Sequence, residues 1–192
     1  MILSCDKLSK FYATKRVFKD LSLRFDSPRS LLQGANGSGK STLLRIIAGL
    51  EETSSGNIDW QATPSDSTVL IVLASESVLP PDVYTAIEVL ALIERYQKVD
   101  TELRETLIQQ LNFNAHLHSR VSELSSGSLK KLLLIAALSQ HSDVLLLDEP
   151  FANLDVESRD LLKDFILADQ RFQIIVDHHR LLGELPCVAM DD

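Results

Sequence analysis

Twelve consecutive residues, Leu31-Leu32-Gln33-Gly34-Ala35-Asn36-Gly37-Ser38-Gly39-Lys40-Ser41-Thr42, constrain this chain more than any others. Gly34 to Ser41 fits the pattern Gly-x-x-x-x-Gly-Lys-[Ser/Thr], the phosphate-binding P-loop. The glycines let the backbone turn tightly and bring its N–H groups close to an anion. Lys40 adds a compact point charge for the outer phosphates, and the Ser41 hydroxyl suits one position on Mg²⁺. Asn36, Ser38 and Thr42 complete the candidate contact set. The motif requires a buried strand before it and a helix after it. Ser30-Leu31-Leu32 supplies the first. Leu43, Leu44, Ile46 and Ile47 give the second an apolar face, with Gly49 as a stop signal.

A P-loop also needs an acid for its metal and a group to orient water. Leu145-Leu146-Leu147-Asp148-Glu149-Pro150 offers both. The apolar run predicts a buried strand that delivers Asp148 to its C-terminal tip, where ligands bind in open α/β sheets. Asp148 is the candidate for holding Mg²⁺ and Glu149 the candidate general base toward the γ-phosphate.

Around these motifs the chain alternates strands and helices. Residues 1–27 read as short strands, with Tyr12 in the link between them and alternation from Leu21 to Phe25. Gly56-Asn57 reads as a turn before a short strand Ile58–Trp60. Ala62 to Ser67 is polar and turn-rich. Thr68 to Leu73 predicts a buried strand. Thr85–Val99 and Glu102–Leu111 have helical spacing. Leu129–Leu138 is apolar nearly all round and predicts a buried helix, and Val156–Leu167 predicts an amphipathic one. Phe172–Val176 is a further strand. This order predicts an α/β fold with a mainly parallel sheet, an N-terminal antiparallel β part over 1–27 and 56–62, and an inserted helical subdomain over 77–125, all in a single domain over 1–192.

Composition narrows the partners. A net charge of −8, with no Lys/Arg run longer than two residues, argues against binding to a nucleic-acid backbone. The N-terminus meets an acid at Asp6 and does not read as a signal peptide. The longest uncharged apolar stretch, Leu132 to Leu138, is far short of the roughly 18 residues that span a bilayer. A soluble chain is expected. Cys5 and Cys187 make no metal or disulfide spacing and read as buried thiols in a reducing cytosol. The pair His116 and His118 reads as a solvated loop.

Together these motifs resemble the ABC ATPase family, the nucleotide-binding domains of ATP-binding-cassette transporters. Gly34–Thr42 is similar to the Walker A motif, Leu145–Glu149 to Walker B with its catalytic glutamate, and Ala152–Asp155 to the D-loop. Leu124–Ser128 sits where the family signature belongs, His178 where the switch histidine belongs, and Tyr12 where an aromatic stacks on adenine. The adjacent His179 is the rival to His178. The resemblance implies ATP and Mg²⁺, with Lys40, Glu149 and His178 in catalysis and Ser41 and Asp148 at the metal. The segment Leu44–Leu50 bears a fainter likeness to small bacterial exporter ATPases such as the haem-exporter subunit.

Two departures stand out. The signature reads Ser-Ser-Gly-Ser, and a Cβ at Ser126 is expected to crowd a partner's γ-phosphate. The family's Q-loop glutamine is replaced by Ser75, with Glu76 beside it, so that either Ser75 reaches the metal through a water, the favoured expectation, or Glu76 takes over. In the family two domains pack head to tail. The resemblance therefore implies that Ser125 and Gly127 of a second ABC ATPase domain, in a homo- or heterodimer, close over the ATP, and that a transmembrane permease subunit receives the stroke. The chain would then lie in the cytoplasm, peripheral to the inner face of the membrane. A soluble non-transport ABC ATPase and a weakly hydrolysing regulatory half are the alternatives.

Overall fold

Alternating burial shapes the N-terminal part. In this computed structural model, which describes residues 1–61 and 68–190, β1 (Ile2–Tyr12) and β2 (Lys15–Phe25) form one long antiparallel hairpin. The expected short strands are thus continuous, with irregular register between Cys5 and Phe11 absorbing the breaks in their pattern. Tyr12 ends β1 opposite Lys15. Leu21, Leu23 and Phe25 face inward while the residues between them are exposed. The turn-rich stretch 62–67, with the last residue of the expected 56–62 part, lies outside the described residues.

The other edge of β1 pairs with β4 (Ser55–Gln61). Gly56-Asn57 is therefore strand, not turn. Gly56 has φ 90°, and a Cβ there would lie 2.4 Å from the Lys7 carbonyl oxygen. The glycine marks a close approach of two backbones inside a sheet.

The second sheet runs β5-β6-β7-β3-β8, every pair parallel: β5 (Ile71–Ala74), β6 (Val144–Asp148), β7 (Phe172–Val176), β3 (Arg29–Gln33) and β8 (Cys187–Ala189). Two corrections concern its edges. The strand expected over Thr68–Leu73 starts later, at Ile71, and is only half-buried because β5 is an edge; Leu70 is exposed and its N–H bonds the Asp143 carboxylate at 2.8 Å. Strand β8, beyond the expected last strand, has three residues and no burial pattern to announce it. Its Cys187 is exposed, against the expectation of two buried thiols, while burial pushes the Cys5 thiol up to about 12.

Both faces of this sheet are covered, which explains apolar runs such as Val144–Leu147. Leu145 and Leu147 pack with α4 (Ser126–Ser139) and α5 (Val156–Ala168). Val144 and Leu146 pack with α1 (Lys40–Ile47) and the antiparallel sheet. Strand period two therefore assigns Asp148, next in the even series, to the α1 side. Between β5 and α4 lie α2 (Ala86–Tyr96) and α3 (Thr101–Gln110). Thr85 and Glu88 form a capping box on α2, and Asp100 caps α3, which sets both helix starts.

Candidate nucleotide site

A pocket of about 470 Å³ opens at the C-terminal end of the parallel strands, lined by Tyr12, Asn36, Gly37, Gly39, Lys40, Ser41, Thr42, Asp148, Glu149 and His178, among others. Gly34 and Ser38 lie in the loop behind it. Ser75 reaches it only through Asp148. Ser125 and Gly127 are not brought to it.

The loop is built by local geometry. Gly39 precedes α1 with φ 97°, and a Cβ there would lie 2.6 Å from Val17 Cγ1. Only glycine meets both conditions. The α1 N-terminus then faces the pocket with unpaired backbone N–H groups. Lys40, 7% exposed, donates to the Gly34 and Ala35 carbonyls at 2.9 and 3.0 Å. Two of its three N–H groups hold the loop closed, and one remains for a ligand. Ser38 Oγ is buried with no hydrogen-bond partner. An orphan hydroxyl inside a loop of N–H groups fits an anion that accepts from it.

Tyr12 stands at the other end of the pocket in a locked pose. Its hydroxyl bonds Glu51 and accepts from Arg45 Nη2 at 3.2 Å. The Lys10 ammonium lies 4.9 Å from the ring centroid. Arg45 reaches Glu51 at 3.0 Å and Thr42 at 3.2 Å, so one guanidinium ties the aromatic to the phosphate loop. Burial alone would raise the Glu51 carboxyl, but hydrogen bonds from Lys10, Tyr12 and Arg45 outweigh it and hold the group at about 2.

The acid pair sits across from Lys40. Asp148 Oδ2 accepts from Ser75 Oγ at 2.7 Å, and Ser75 also bonds Ser77. Glu149 has φ 50°, a left-handed conformation that is costly for a glutamate. Burial first, then the neighbouring Asp177 and Asp148 charges, raises its carboxyl, and His178 partly offsets this. His178 Nε2 lies 3.1 Å from Glu149 Oε1. That contact has the distance of an ion pair without hydrogen-bond angles, since Oε1 has no hydrogen-bond partner. Asp177 fixes the turn by accepting from His179 N at 2.9 Å and Leu181 N at 2.7 Å. Both histidines are exposed, but His178 lines the pocket and His179 does not.

The signature segment lies apart. Ser125 caps α4, accepting from Ser128 N at 3.1 Å. A Cβ on Gly127 would lie 2.7 Å from the Asn153 carbonyl oxygen, so this glycine lets α4 touch the segment after β6. His116 is partly buried, with Nε2 3.3 Å from Ser128 Oγ, and only His118 is exposed as a solvated loop predicts. Glu76 does not turn to the metal side; it pairs with Lys130 Nζ at 3.0 Å. Lys130 also donates to the Asp148 and Glu149 carbonyls. The sequence reading missed Lys130, although a lysine pair, Lys130-Lys131, in a largely apolar helix was a visible signal. It also missed Arg45, Glu51 and Asp177.

Among the described residues no cluster of three His, Cys, Asp or Glu side chains could hold a metal ion. Magnesium does not need one, because it keeps waters and takes substrate phosphate oxygens beside one or two protein groups. Ser41 and Asp148, which line the same pocket, fit that pattern.

A family profile described as ABC transporter matches residues 18–152. The chain belongs to the ABC transporter family. It is 29% identical over 190 residues to the uncharacterized ABC transporter ATP-binding protein YhaQ of Bacillus subtilis, covering 94% of this chain and 63% of that one. It is 30% identical over 182 residues to the manganese transport system ATP-binding protein MntB of Listeria innocua, covering 88% of this chain and 76% of that one. The chain thus spans less than two thirds of the first relative's length. A solved ATP-binding subunit of an ABC transporter superposes with a TM-score of 0.76 at 23% identity, over 93% of this chain and 80% of that one, which establishes the shared fold.

Proposed function

We propose that this chain is the ATP-binding subunit of an ABC transporter and hydrolyses ATP, with Mg²⁺, to drive transport through a separate membrane partner. One observation carries the reading: Lys40, Ser41, Asp148, Glu149 and His178, from three separate stretches of chain, line one pocket. Lys40 and the α1 N-terminus neutralise phosphate charge. Tyr12 offers its ring to the base. Ser41 and Asp148 hold the metal ion, which polarises the phosphate oxygens when bound, and Ser75 orients Asp148. Glu149, whose proton affinity is raised, takes the proton of the attacking water, and His178 steadies it.

Ser125 and Gly127, remote from their own pocket, serve the site of a second copy or of a related domain. The helical subdomain over 77–125 meets the permease. An apolar groove of about 310 Å³ lined by Val78, Leu79, Pro80, Tyr84, Leu92 and Leu133, among others, supports that contact. No helix among the described residues is long and apolar enough to cross a membrane. Attachment to the inner face through the permease follows from this reading.

Glu149→Gln tests it. Hydrolysis falls by about 100-fold or more while ATP binding persists, and an ATP-dependent dimer accumulates on size-exclusion chromatography. Unchanged turnover in the variant removes Glu149 from the mechanism.

A further inference from the structure

Lys130 is the buried member of the Lys130-Lys131 pair on α4. It is 3% exposed, on a helix whose neighbours Leu132, Leu134 and Ile135 are wholly buried. Burying an ammonium is costly unless every donor finds a partner. Lys130 finds three: the Glu149 carbonyl at 2.9 Å, the Asp148 carbonyl at 3.3 Å and Glu76 Oε1 at 3.0 Å. A lysine has three N–H groups, so its capacity is filled.

The partners explain the position. Glu149 is left-handed, and the conformation persists only if its surroundings impose it. Its N–H is fixed by the Val176 carbonyl at 2.9 Å. Its carbonyl is held by Lys130 and by the Ala152 N–H at 3.2 Å. With both flanking peptide planes pinned, the side chain leaves toward the pocket and His178. Glu76 is the second residue after β5, next to Ser75, so the same ammonium also ties the backbone of the acid pair to the segment that leads toward α2.

We propose that Lys130 is a positioning residue for hydrolysis. It acts through the backbone carbonyl of Glu149, with Glu76 as its anchor. The inference rests on the proposed role of Glu149 and deepens it. A displacement of about 1 Å in a catalytic group can cost 100-fold in rate, so losing this hold should lower turnover without touching nucleotide contacts.

The test uses the full chain and single-turnover hydrolysis beside equilibrium binding of ATP. Lys130→Met keeps the length and removes the donors. The expected result is a rate lower by about 10- to 100-fold with ATP affinity within about twofold. Lys130→Arg keeps donors and restores most of the rate. In a Glu149→Gln background, Lys130→Met costs less than about twofold further, because the residue through which it acts is already disabled. Glu76→Gln, at a half-exposed position that tolerates change, lowers the rate by about two- to fivefold. The proposal is overturned by a wild-type rate in Lys130→Met, by rate and affinity falling in parallel, or by full additivity with Glu149→Gln. Should Lys130→Met not fold, Glu76→Gln decides, and an unchanged rate there overturns the proposal. If Glu149→Gln itself leaves hydrolysis intact, the functional reading fails; if only the Lys130 result fails, that reading stands.

Discussion

The two walls of the pocket are built in different ways. The phosphate wall is one continuous stretch, Gly34 to Thr42, whose bonds run between near neighbours: Lys40 to Gly34 and Ala35, and Ser38 N to Ala35 O. The acid wall is assembled from distant pieces. Ser75 meets Asp148, Lys130 meets Glu149 and Glu76, and Gly127 meets Asn153. A local wall tolerates drift elsewhere in the chain. An assembled wall depends on every piece it gathers, and it is also where this sequence departs from the family pattern.

Three substitutions probe that contrast. The largest effect is expected on the local wall: Lys40→Ala removes both loop bonds and the free charge, lowering ATP affinity by about 100-fold in a binding titration. Affinity within twofold of wild type would mean the loop is not the phosphate site. Next comes Gly127→Ala on the assembled wall. Alanine normally favours a helix over glycine, but the 2.7 Å approach to a backbone oxygen reverses the sign. Denaturant unfolding should show a loss of about 1–3 kcal/mol. A gain would show that α4 and the Asn153 turn can separate freely. The smallest effect is expected at Glu51, which tensions Tyr12. Glu51→Gln should weaken ATP by about threefold to tenfold and leave inorganic tripolyphosphate unchanged, since that ligand has no base to stack. Equal weakening of both would place Glu51 in the phosphate loop instead.

The same contrast decides what could be read beforehand. Gly34–Thr42, the Leu145–Glu149 strand, the apolar run of α4 and the period of α5 are consecutive patterns, so composition, periodicity and spacing exposed them. Tyr12, Ser75 and His178 were legible only through the family likeness, because nothing local marks them. Lys130 escaped because its purpose lies with carbonyls about twenty residues further on. Gly56 misled because a turn residue and a close backbone approach look alike in sequence. Strand β8 was invisible because its three residues borrow their order from β3.

That last strand has a practical side. Met190 N donates to Gln33 O at 2.8 Å, and a Cβ on Gly34 would lie 3.3 Å from Met190 Cβ, so β8 floors the phosphate loop. Of the two cysteines in the chain, Cys5 is buried and Cys187 is exposed on this strand. The unaltered protein therefore carries a single addressable thiol beneath its nucleotide cradle, a natural attachment point for a fluorophore that watches the cradle fill and empty.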